Sequence, residues 1–345
     1  MVEIKREDDF DFLSREYGDI FACSDATAFQ SPVWLHCFHA NLIKYADARP
    51  LTITFRKEGE LLGLVALMQR KKTGLDLVEA TDMGVSDYAA PVFGSELQRA
   101  LEVDSNLAAR FVAAIGPHDL LRVRPVLPGH RDIWQKLLQQ QPCQLDFSTH
   151  AVQLAQPFDE WRAAHLDDRC KSMISRKARR WNRQHKVQLE RLSDPKCIEL
   201  ALSNLVKLRR GRFDGDPIQT AEIESFYAAV AVAGAQSSQA ETWILTSDGE
   251  VVGVLFGLTH QGRFLYLLIG ADYDGHGRHS PGLQMYDQII EDWISRGGTC
   301  FDFTIGDEPF KTDFGARAEP MSIVLRPNNL VGKLATTFLQ KQLRR

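Results

Sequence analysis

The sequence has few cysteines, no long hydrophobic run and no marked excess of charge of either sign. Its six cysteines are scattered and form no Cys-x-x-Cys pair near histidines, so we expect no disulfide framework, no metal site and a reducing, cytoplasmic setting. No apolar run approaches the roughly 20 residues that span a membrane. The charged, mostly acidic segment from Met1 to Asp11 predicts neither a secretory signal nor a transit peptide.

The overall charge excludes a strong general attraction to nucleic acid. The formal net charge is −4 and the sequence pI is about 6.2, so we expect no DNA partner and no extended RNA footprint. With 44% hydrophobic and 25% charged residues, the composition is that of a globular chain. Its 345 residues exceed one typical core, which predicts two packed units.

An internal repeat supports two related halves. Glu58–Leu64 (EGELLGL) aligns without a gap on Asp248–Val254 (DGEVVGV), and in both places an acidic-Gly turn joins two apolar runs, which predicts a β-hairpin. Asp87-Tyr88 and Asp272-Tyr273 then end a third strand-like stretch in each half. A helix and a strand follow, at Glu96–Ile115 and Leu120–Val126 in the first half, and at Pro281–Arg296 and Cys300–Ile305 in the second. The alternative is two unrelated hairpins in one α/β domain.

Two further helices are predicted outside the repeat. Arg169–Lys186 carries eight basic residues, no acid and an apolar stripe at helical spacing, so it is either a packed linker helix with a solvated face or a surface for an anionic acceptor. In the tail from Leu330 to Arg345, apolar residues recur every four positions before Arg344-Arg345. This pattern predicts a docked terminal helix, with a weak peripheral membrane contact as the alternative.

The clearest candidate site lies where a buried strand meets a helix. The predicted strand Arg263–Tyr273 runs into the Gly-rich segment Asp274–Gly282 and then into an amphipathic helix. Backbone N–H groups and the positive end of the helix dipole converge there, which favours a phosphate. Ser280 is a suitable N-cap residue and Pro281 fits the first helical position. Arg278 can add a charge-assisted contact to a diphosphate.

This order of elements resembles the GNAT fold of acyl-coenzyme A N-acyltransferases. Further motifs make the chain similar, from about Phe29 to Phe314, to BioF-like or CelD/BcsL-type acetyltransferases and their FemAB relatives. They are Phe29–Leu35 (FQSPVWL), Ser86-Asp87-Tyr88, the basic stretch after Trp161, Ser280-Pro281-Gly282, Asp302-Phe303, Gly306 and Phe310-Lys311. The family's loop usually has an aromatic residue and an Arg before Ser-Pro-Gly, whereas Gly275–His279 is rich in Gly and His.

The resemblance implies an α/β fold with mixed sheets and tandem GNAT-like domains in a FemAB-like architecture. We expect a degenerate GNAT-like domain at 1–155, a linker with the basic helix at 156–190, and a GNAT domain with the acyl-CoA site at 191–345. It also implies a cytoplasmic enzyme, often linked to envelope or exopolysaccharide metabolism, that moves an acyl group from acyl-CoA or acetyl-CoA, as co-substrate, to an amine or hydroxyl of a small or saccharide-linked acceptor.

Specific residues are assigned to this chemistry. Asp302, on an apolar strand, is the candidate base or amine-orienting group, or else pairs with a backbone group or an Arg. Lys311 either stabilises developing negative charge or is an idle surface lysine. His276 and His279 are candidate proton relays. The predicted donor-binding residues are Ile269, Gly277, Arg278, His279, Ser280 and Gly282; those for the acceptor are Asp87, Tyr88 and Arg212, with Arg209 and Arg210 as further anion contacts.

Two other functions remain open at this stage. A FemAB-like ligase would take an aminoacyl group from transfer RNA, which the basic helix favours and the acidic pI does not. A non-catalytic GNAT-like pair would bind a nucleotide or a partner in exopolysaccharide synthesis without turnover. Thioester consumption and salt-sensitive RNA binding separate the three.

Overall fold

The computed structural model describes residues 1–155 and 157–343, and the chain forms two compact units. The first unit contains Met1–Ser148 and the chain from Glu319 onward, and the second contains Thr149–Ala318. These bounds differ from the predicted ones, because the segment expected as a linker, 156–190, lies within the second unit. The predicted basic end of the tail, Arg344-Arg345, lies outside the described residues.

The N-terminal part of the chain contains seven of the strands. Its elements are β1 (Glu3–Arg6), α1 (Arg15–Ala22), α2 (Pro32–Tyr45), β2 (Arg49–Lys57), β3 (Glu60–Lys72), β4 (Leu75–Ala80), β5 (Val92–Phe93), α3 (Ser95–Val103), α4 (Leu107–Ile115), β6 (Leu120–Val126), α5 (Arg131–Leu138) and β7 (Cys143–Gln153). The helix predicted over Glu96–Ile115 is in fact α3 and α4. It is broken at Asp104, whose carboxylate accepts the Asn106 N–H, a local bond that competes with the helix.

The remaining elements follow in the same alternating order. They are α6 (Phe158–His165), α7 (Asp168–Gln184), β8 (Val187–Leu192), α8 (Pro195–Arg209), α9 (Ala221–Gln236), β9 (Ala240–Ser247), β10 (Glu250–His260), β11 (Arg263–Ala271), α10 (Tyr273–His276), α11 (Pro281–Ser295), β12 (Cys300–Ile305), α12 (Pro309–Asp313), β13 (Arg317–Pro327) and α13 (Leu330–Leu343). The mixed α/β class is as predicted.

Each unit has a mixed sheet around its own hydrophobic core. In the first unit the strand order is β1-β2-β3-β4-β6-β13, with β5 beside β3; in the second it is β8-β9-β10-β11-β12-β7. Leu51, Ile53 and Phe111 are fully buried in the first core. Trp161, Phe301 and Phe303 are fully buried in the second. The basic helix α7 buries Ile174 and Trp181, so it belongs to the second core.

The structure reproduces the sequence repeat in detail. Both turns have positive φ at both central residues, 54° and 91° at Glu58-Gly59 and 53° and 89° at Asp248-Gly249, as in a type I′ turn. In each hairpin the register shifts at the same aligned position, so that Leu62 in β3 and Val252 in β10 have no partner in the β2–β3 or β9–β10 register. Shared turn geometry and a shared bulge support duplication over two unrelated hairpins.

The repeat extends to the strands that follow each hairpin. In the first unit β4 pairs antiparallel with β3 and parallel with β6; in the second, β11 pairs antiparallel with β10 and parallel with β12. The last strand of each half joins the other sheet, since Thr149–Gln153 of β7 pairs with β12 and Ser322–Pro327 of β13 pairs with β6. One predicted correspondence between the halves is wrong. β4 ends at Ala80, so Asp87-Tyr88 do not end a strand.

Disulfides, metal-binding groups and membrane-spanning helices were considered for residues 1–155 and 157–343. There, all six cysteines are free, no group of three or more His, Cys, Asp or Glu side chains is arranged to hold a metal ion, and no helix has the length and apolar character needed to cross a membrane.

The terminal helix α13 docks through a glycine and not through its apolar stripe. Leu334 and Phe338, expected to pack inward, are 74% and 63% exposed, and Gly332 is the buried residue of the helix. A Cβ atom on Gly332 would lie 1.9 Å from the Asp119 carbonyl oxygen. The Asn329 side chain fixes this approach, because its Nδ2 donates to Asp119 Oδ1 and its Oδ1 accepts the Gly332 N–H.

We predict that Gly332→Ala destabilises the first unit by about 2–4 kcal/mol, because the methyl group meets backbone that cannot move aside cheaply. Urea unfolding followed by tryptophan fluorescence measures the change. Gly18→Ala is the matched control, since a Cβ on Gly18 in α1 meets nothing within 4 Å and Ala is the better helix former. Equal stability of the Gly332→Ala and wild-type proteins would show that α13 is not docked at this point.

Candidate active site

The site is built on two parallel strands that separate. β11 and β12 pair only over Arg263–Leu265 and Cys300–Asp302, although β11 continues to Ala271. The β10–β11 register shifts between Phe256 and Gly257, which leaves Leu267 of β11 unmatched. A bulge of this kind bends a strand and increases its twist. Beyond Leu265, the edge of β11 that faces away from β10 is therefore open.

Backbone donors face this open edge. The Asp272 N–H donates to the Val252 carbonyl oxygen of β10 at 2.9 Å, and alternate residues of a strand face opposite neighbours. The N–H groups of Ile269 and Ala271 therefore point away from β10. Consistently, the Ile269 carbonyl oxygen accepts a 2.9 Å bond from Arg209 Nη1 of α8. Ile269, predicted to bind the donor, thus has its N–H on the open edge.

Asp302 holds the point at which the strands separate. Its side chain is 1% exposed, Oδ2 lies 2.9 Å from Arg263 Nη1, and Oδ1 accepts the Thr304 N–H at 2.8 Å. Thr304 has a φ of 55°, and its hydroxyl donates to the Tyr266 carbonyl oxygen at 3.0 Å. These contacts match the alternative that Asp302 pairs with an Arg and a backbone group, and they make it a positioning residue. A role as general base stays a prediction.

Lys311 is not an idle surface residue, because it is 1% exposed. Its ammonium group donates to the carbonyl oxygens of Ile305 at 2.7 Å and Gly306 at 2.9 Å, and lies 2.9 Å from Glu308 Oε2. A longer contact of 3.5 Å reaches the Thr304 carbonyl oxygen, so the three donors of the ammonium group are fully used. Lys311 therefore fixes the turn after β12, and direct stabilisation of substrate charge stays a prediction.

The Gly-rich segment is more ordered than a simple loop. β11 ends at Ala271, earlier than predicted, and Tyr273 begins the short helix α10. The Asp272 carboxylate caps α10, with Oδ1 accepting the Gly275 N–H at 2.8 Å and Oδ2 lying 2.9 Å from His276 Nδ1. The bond from Gly275, with the His276 contact, holds the pKa of Asp272 below its usual value. Gly277–His279 then form a 3₁₀ turn.

Ser280 stands at the N-cap of α11, but its side chain does not cap the helix. Its backbone is left-handed, with a φ of 53°, and its hydroxyl accepts a 2.6 Å bond from Lys177 Nζ of α7. The predicted capping bond is therefore wrong, although Pro281 does occupy the first helical position. Because the first N–H groups of a helix have no partner within it, those of Gly282 and Leu283 remain as donors at this end.

Aromatic rings fix the histidines of the segment. Trp181 of α7 stacks on His279 with ring centroids 4.9 Å apart and an interplanar angle of 10°. His279 is fully buried, and Arg278 Nε donates to its Nε2 at 3.0 Å. Burial lowers the pKa of His279, so the neutral imidazole is favoured. The Nε of Arg278 is thus committed to His279, and the diphosphate contact of Arg278 and the proton relay through the histidines stay predictions.

Gly282 gives the segment its shape. A Cβ at Gly282 would lie 2.6 Å from Tyr273 Oη and 3.5 Å from Ile269 Cδ1. The Arg212 guanidinium lies over the Tyr273 ring, 4.0 Å from its centroid, a favourable cation–π distance. Gly282 and Ile269, predicted for the donor, and Arg212, predicted for the acceptor, are therefore gathered around Tyr273. Arg209 is instead buried against Asp216 at 2.8 Å, so it is not an accessible anion contact.

Sequence reasoning missed three residues near the separated strands. Tyr266 of β11 and Tyr286 of α11 lie with ring centroids 5.0 Å apart, and burial raises the pKa of both. His150 of β7 is 4% exposed, with Nε2 3.6 Å from Asp307 Oδ1, and burial lowers its pKa. A lone His within an otherwise strand-like run was the available signal for His150. Tyr286 lies on the apolar face of the amphipathic helix that the sequence predicts after Gly282, a pattern that indicates core packing.

The predicted acceptor residues of the first half lie in the first unit. Asp87 is half-buried, whereas Tyr88 is 1% exposed and packs edge to face on Phe29 with centroids 5.4 Å apart. The Tyr88 carbonyl oxygen also accepts a bond from the Gln30 side chain at 3.0 Å. Tyr88 therefore packs within the first unit, and acceptor binding by either residue stays a prediction.

Comparisons with known proteins agree with this architecture. Residues 168–312 match the family model described as an acetyltransferase (GNAT) domain. FemX is similar in structure, with a TM-score of 0.66 at 13% identity over 94% of this chain and 98% of that one. L-PGS from Bacillus licheniformis gives 0.55 at 11% identity over 87% and 90%. A conserved protein from Bacteroides thetaiotaomicron gives 0.58 at 12% identity over 94% and 99%. No curated protein sequence matches.

The second unit therefore carries a GNAT acetyltransferase domain, and the predicted superfamily and fold class are confirmed. The GNAT match covers residues 168–312, less than half of the chain, and the chain as a whole has a FemX-like fold. Closer membership among the BioF-like or CelD/BcsL-type proteins stays a prediction.

We predict that Asp302→Asn lowers the free energy of unfolding by about 1–2 kcal/mol, because the amide loses the charge that faces Arg263. The loss is limited because Arg263 is partly exposed to solvent, which weakens the ion pair. Asp214→Asn, at an exposed position, is the matched control. Urea denaturation of both variants measures the difference. Equal stabilities would contradict the assignment of Asp302 as the residue that holds the strand separation.

Proposed function

We propose that this protein is an acyl-CoA-dependent N-acyltransferase, transferring an acyl group to an amine, or a hydroxyl, of a small or saccharide-linked acceptor. One observation carries the proposal: the open edge of β11, exposed by the separation from β12, leads through the ordered segment Asp272–Ser280 to the N-terminus of α11. An extended thioester arm and a diphosphate need these two features next to each other. The GNAT match over 168–312 supports the same assignment.

The donor would be held mainly by backbone groups. The N–H groups of Ile269 and Ala271 can bond an extended pantetheine arm in the way a neighbouring strand would. The N–H groups of Gly282 and Leu283, with the helix dipole, suit the diphosphate. Lys177, fixed by Ser280, adds a positive charge to this end of the helix. A donor site made this way has little side-chain signature in the sequence.

In the proposed reaction the acceptor nitrogen attacks the thioester carbonyl carbon, and the carbon–sulfur bond breaks. Backbone N–H groups on the open edge of β11 stabilise the oxyanion. A tyrosine is protonated at neutral pH, and burial, which raises the pKa of Tyr286, keeps it so. In the proposal its hydroxyl is the proton donor to the leaving thiolate. The acceptor's proton goes to Asp302, which bonds Arg263 and the Thr304 N–H, or to His150, whose lowered pKa favours the neutral form. The pH dependence of kcat/KM distinguishes a carboxylate from an imidazole.

The acceptor class and the compartment rest on the resemblance to BioF-like and CelD/BcsL-type proteins. We therefore propose a cytoplasmic enzyme with an acceptor from envelope or exopolysaccharide metabolism. Screening amines and amino sugars for thioester consumption tests the acceptor directly, and the absence of turnover with amino sugars, beside turnover with other amines, would remove the saccharide assignment.

We predict that acetyl-CoA stabilises the wild-type protein and not Gly282→Val. At about a hundred times its dissociation constant a ligand adds ~2.7 kcal/mol, which a thermal-shift assay resolves. Valine would displace Tyr273 and occupy the space between it and Ile269, at the donor end of α11. Gly18→Val is the control, because that position is open. An undiminished response of Gly282→Val would remove the donor site from this helix.

A second variant separates binding from chemistry. Tyr286→Phe should keep the acetyl-CoA stabilisation and lose most of the turnover, because it removes the hydroxyl proton and little else. Stabilisation by acetyl-CoA without thioester consumption for any acceptor tested, in the wild-type protein, would favour the non-catalytic alternative.

A FemAB-like aminoacyl transfer is the second candidate, and one observation favours it. Along and just after α7, six basic residues are exposed: Arg169, Arg176, Arg179, Arg180, Arg183 and Lys186. This surface adjoins the Gly-rich segment through the Lys177–Ser280 bond. If RNA is the donor carrier, transfer RNA should bind with an affinity that falls steeply as salt rises, and Arg179→Gln with Arg183→Gln should weaken it. Binding unchanged by these substitutions would exclude this surface.

A further inference from the structure

The first unit contains its own pair of parallel strands that separate, at the position aligned with the candidate active site. β4 and β6 pair only over Leu77–Glu79 and Leu120–Arg122, just as β11 and β12 pair over three residues. In this alignment Glu79 and Arg122 take the places of Leu265 and Asp302. The duplicated backbone is therefore retained in the first unit, while the side chains at the point of separation differ completely.

A cavity of about 340 Å³ lies at this point, lined by Arg70, Lys72, Glu79, Asp82, Met83, Gly84, Arg122 and Arg124. Its volume falls at the lower end of the range for small-molecule sites. Every lining residue belongs to the first unit. The cavity is thus separate from the donor site proposed above.

The side chains that line the cavity carry a net positive charge, and ion pairs fix two of them in position. Four basic side chains and two carboxylates line it, an excess of two positive charges when both acids are ionised. Glu79 is 4% exposed; its carboxylate accepts a 2.6 Å bond from Arg70 Nε and also pairs with Arg122. One buried acid therefore aligns two guanidinium groups at the cavity.

Two of the arginines that line this cavity each have a buried donor without a protein partner. Among the described residues, the Nε atoms of Arg122 and Arg124 are buried without a hydrogen-bond acceptor. A buried N–H group left unbonded is costly, so these two guanidinium groups are not fully paired within the protein, and both belong to residues that line the cavity. Guanidinium groups suit oxyanions, because their donors are planar and fixed in direction.

Asp82 adds a pH dependence to the site. Burial raises the pKa of Asp82 to about 6, against the Gly84 N–H bond and the charge of Arg124, which lower it. Arg122 also lowers this pKa, and Glu79 raises it. As the pH falls through about 6, Asp82 becomes neutral and the positive excess in the cavity grows from two charges towards three.

We propose that this first-unit cavity binds the phosphate group of a small phosphorylated molecule. A phosphate monoester carries nearly two negative charges at neutral pH, which matches the excess of the lining side chains. Its oxygens provide acceptors for Arg122 and Arg124, and the cavity is large enough for a small organic group beside the phosphate.

The test is a calorimetric titration of the full chain with inorganic phosphate at pH 7.5. Arg124→Gln should weaken phosphate binding at least tenfold, because it removes one charged donor without breaking the Glu79 pairs. Arg99→Gln, at an exposed position on α3, is the matched control and should bind as the wild type does. Acetate tests the other source of an oxyanion; acetate binding as tight as phosphate binding would overturn the choice of phosphate.

Sulfate, which keeps two charges over the whole range, tests the role of Asp82. Sulfate should bind more tightly at pH 5.5 than at pH 7.5, and Asp82→Asn should remove most of that difference. If Arg124→Gln does not fold, as judged by circular dichroism, Lys72→Gln takes its place with an expected threefold to tenfold loss. Phosphate binding that is absent, or equal in wild type and both variants, overturns the proposal. Acetyl-CoA stabilisation, measured in parallel, should be unchanged in these variants. The phosphate-site proposal and the donor-site proposal are therefore tested independently of each other.

Discussion

The separation of β12 from β11 at Asp302 is the constraint on which the candidate active site depends. A sheet gains most by continuing its ladder, so the open edge beyond Leu265 exists only because other contacts replace the missing strand pairs. Asp302 provides one of these replacement contacts, because its carboxylate accepts the N–H of Thr304. The left-handed backbone of Thr304 turns β12 away from β11. Lys311 fixes the turn that follows. The two residues first considered for catalysis thus maintain the opening in which catalysis is proposed.

The duplicated first unit shows what this backbone device does with other side chains. There the strands also part after three paired residues, but Glu79 and two arginines occupy the opening. Apolar residues and free backbone donors suit an extended thioester arm, whereas a fixed cluster of guanidinium groups suits a compact anion. The same fold element therefore supports two binding chemistries, decided by the residues at the point of separation.

Much of the fold could be predicted from sequence because its signals are local. The acidic-Gly pairs fix both hairpin turns through their φ angles, and a run of basic residues with an apolar stripe defines α7. Two of the misses depended on partners far away in the sequence, since Ser280 bonds Lys177 of another helix and Gly332 is buried by Asp119. The burial of Lys311 depended on how its own turn folds back over the side chain. No spacing rule reveals such contacts.

The last strand of each half completes the sheet of the other half. β7 follows the first half and completes the second sheet, and β13 follows the second half and completes the first. Each half alone would leave its parallel strand, β6 or β12, as an exposed sheet edge, which favours aggregation. The β12 edge is also the wall against which the opening is formed. Removing Thr149–Gln153 would therefore expose the β12 edge of the second sheet, so loss of activity after that deletion would not show that these residues bind substrate.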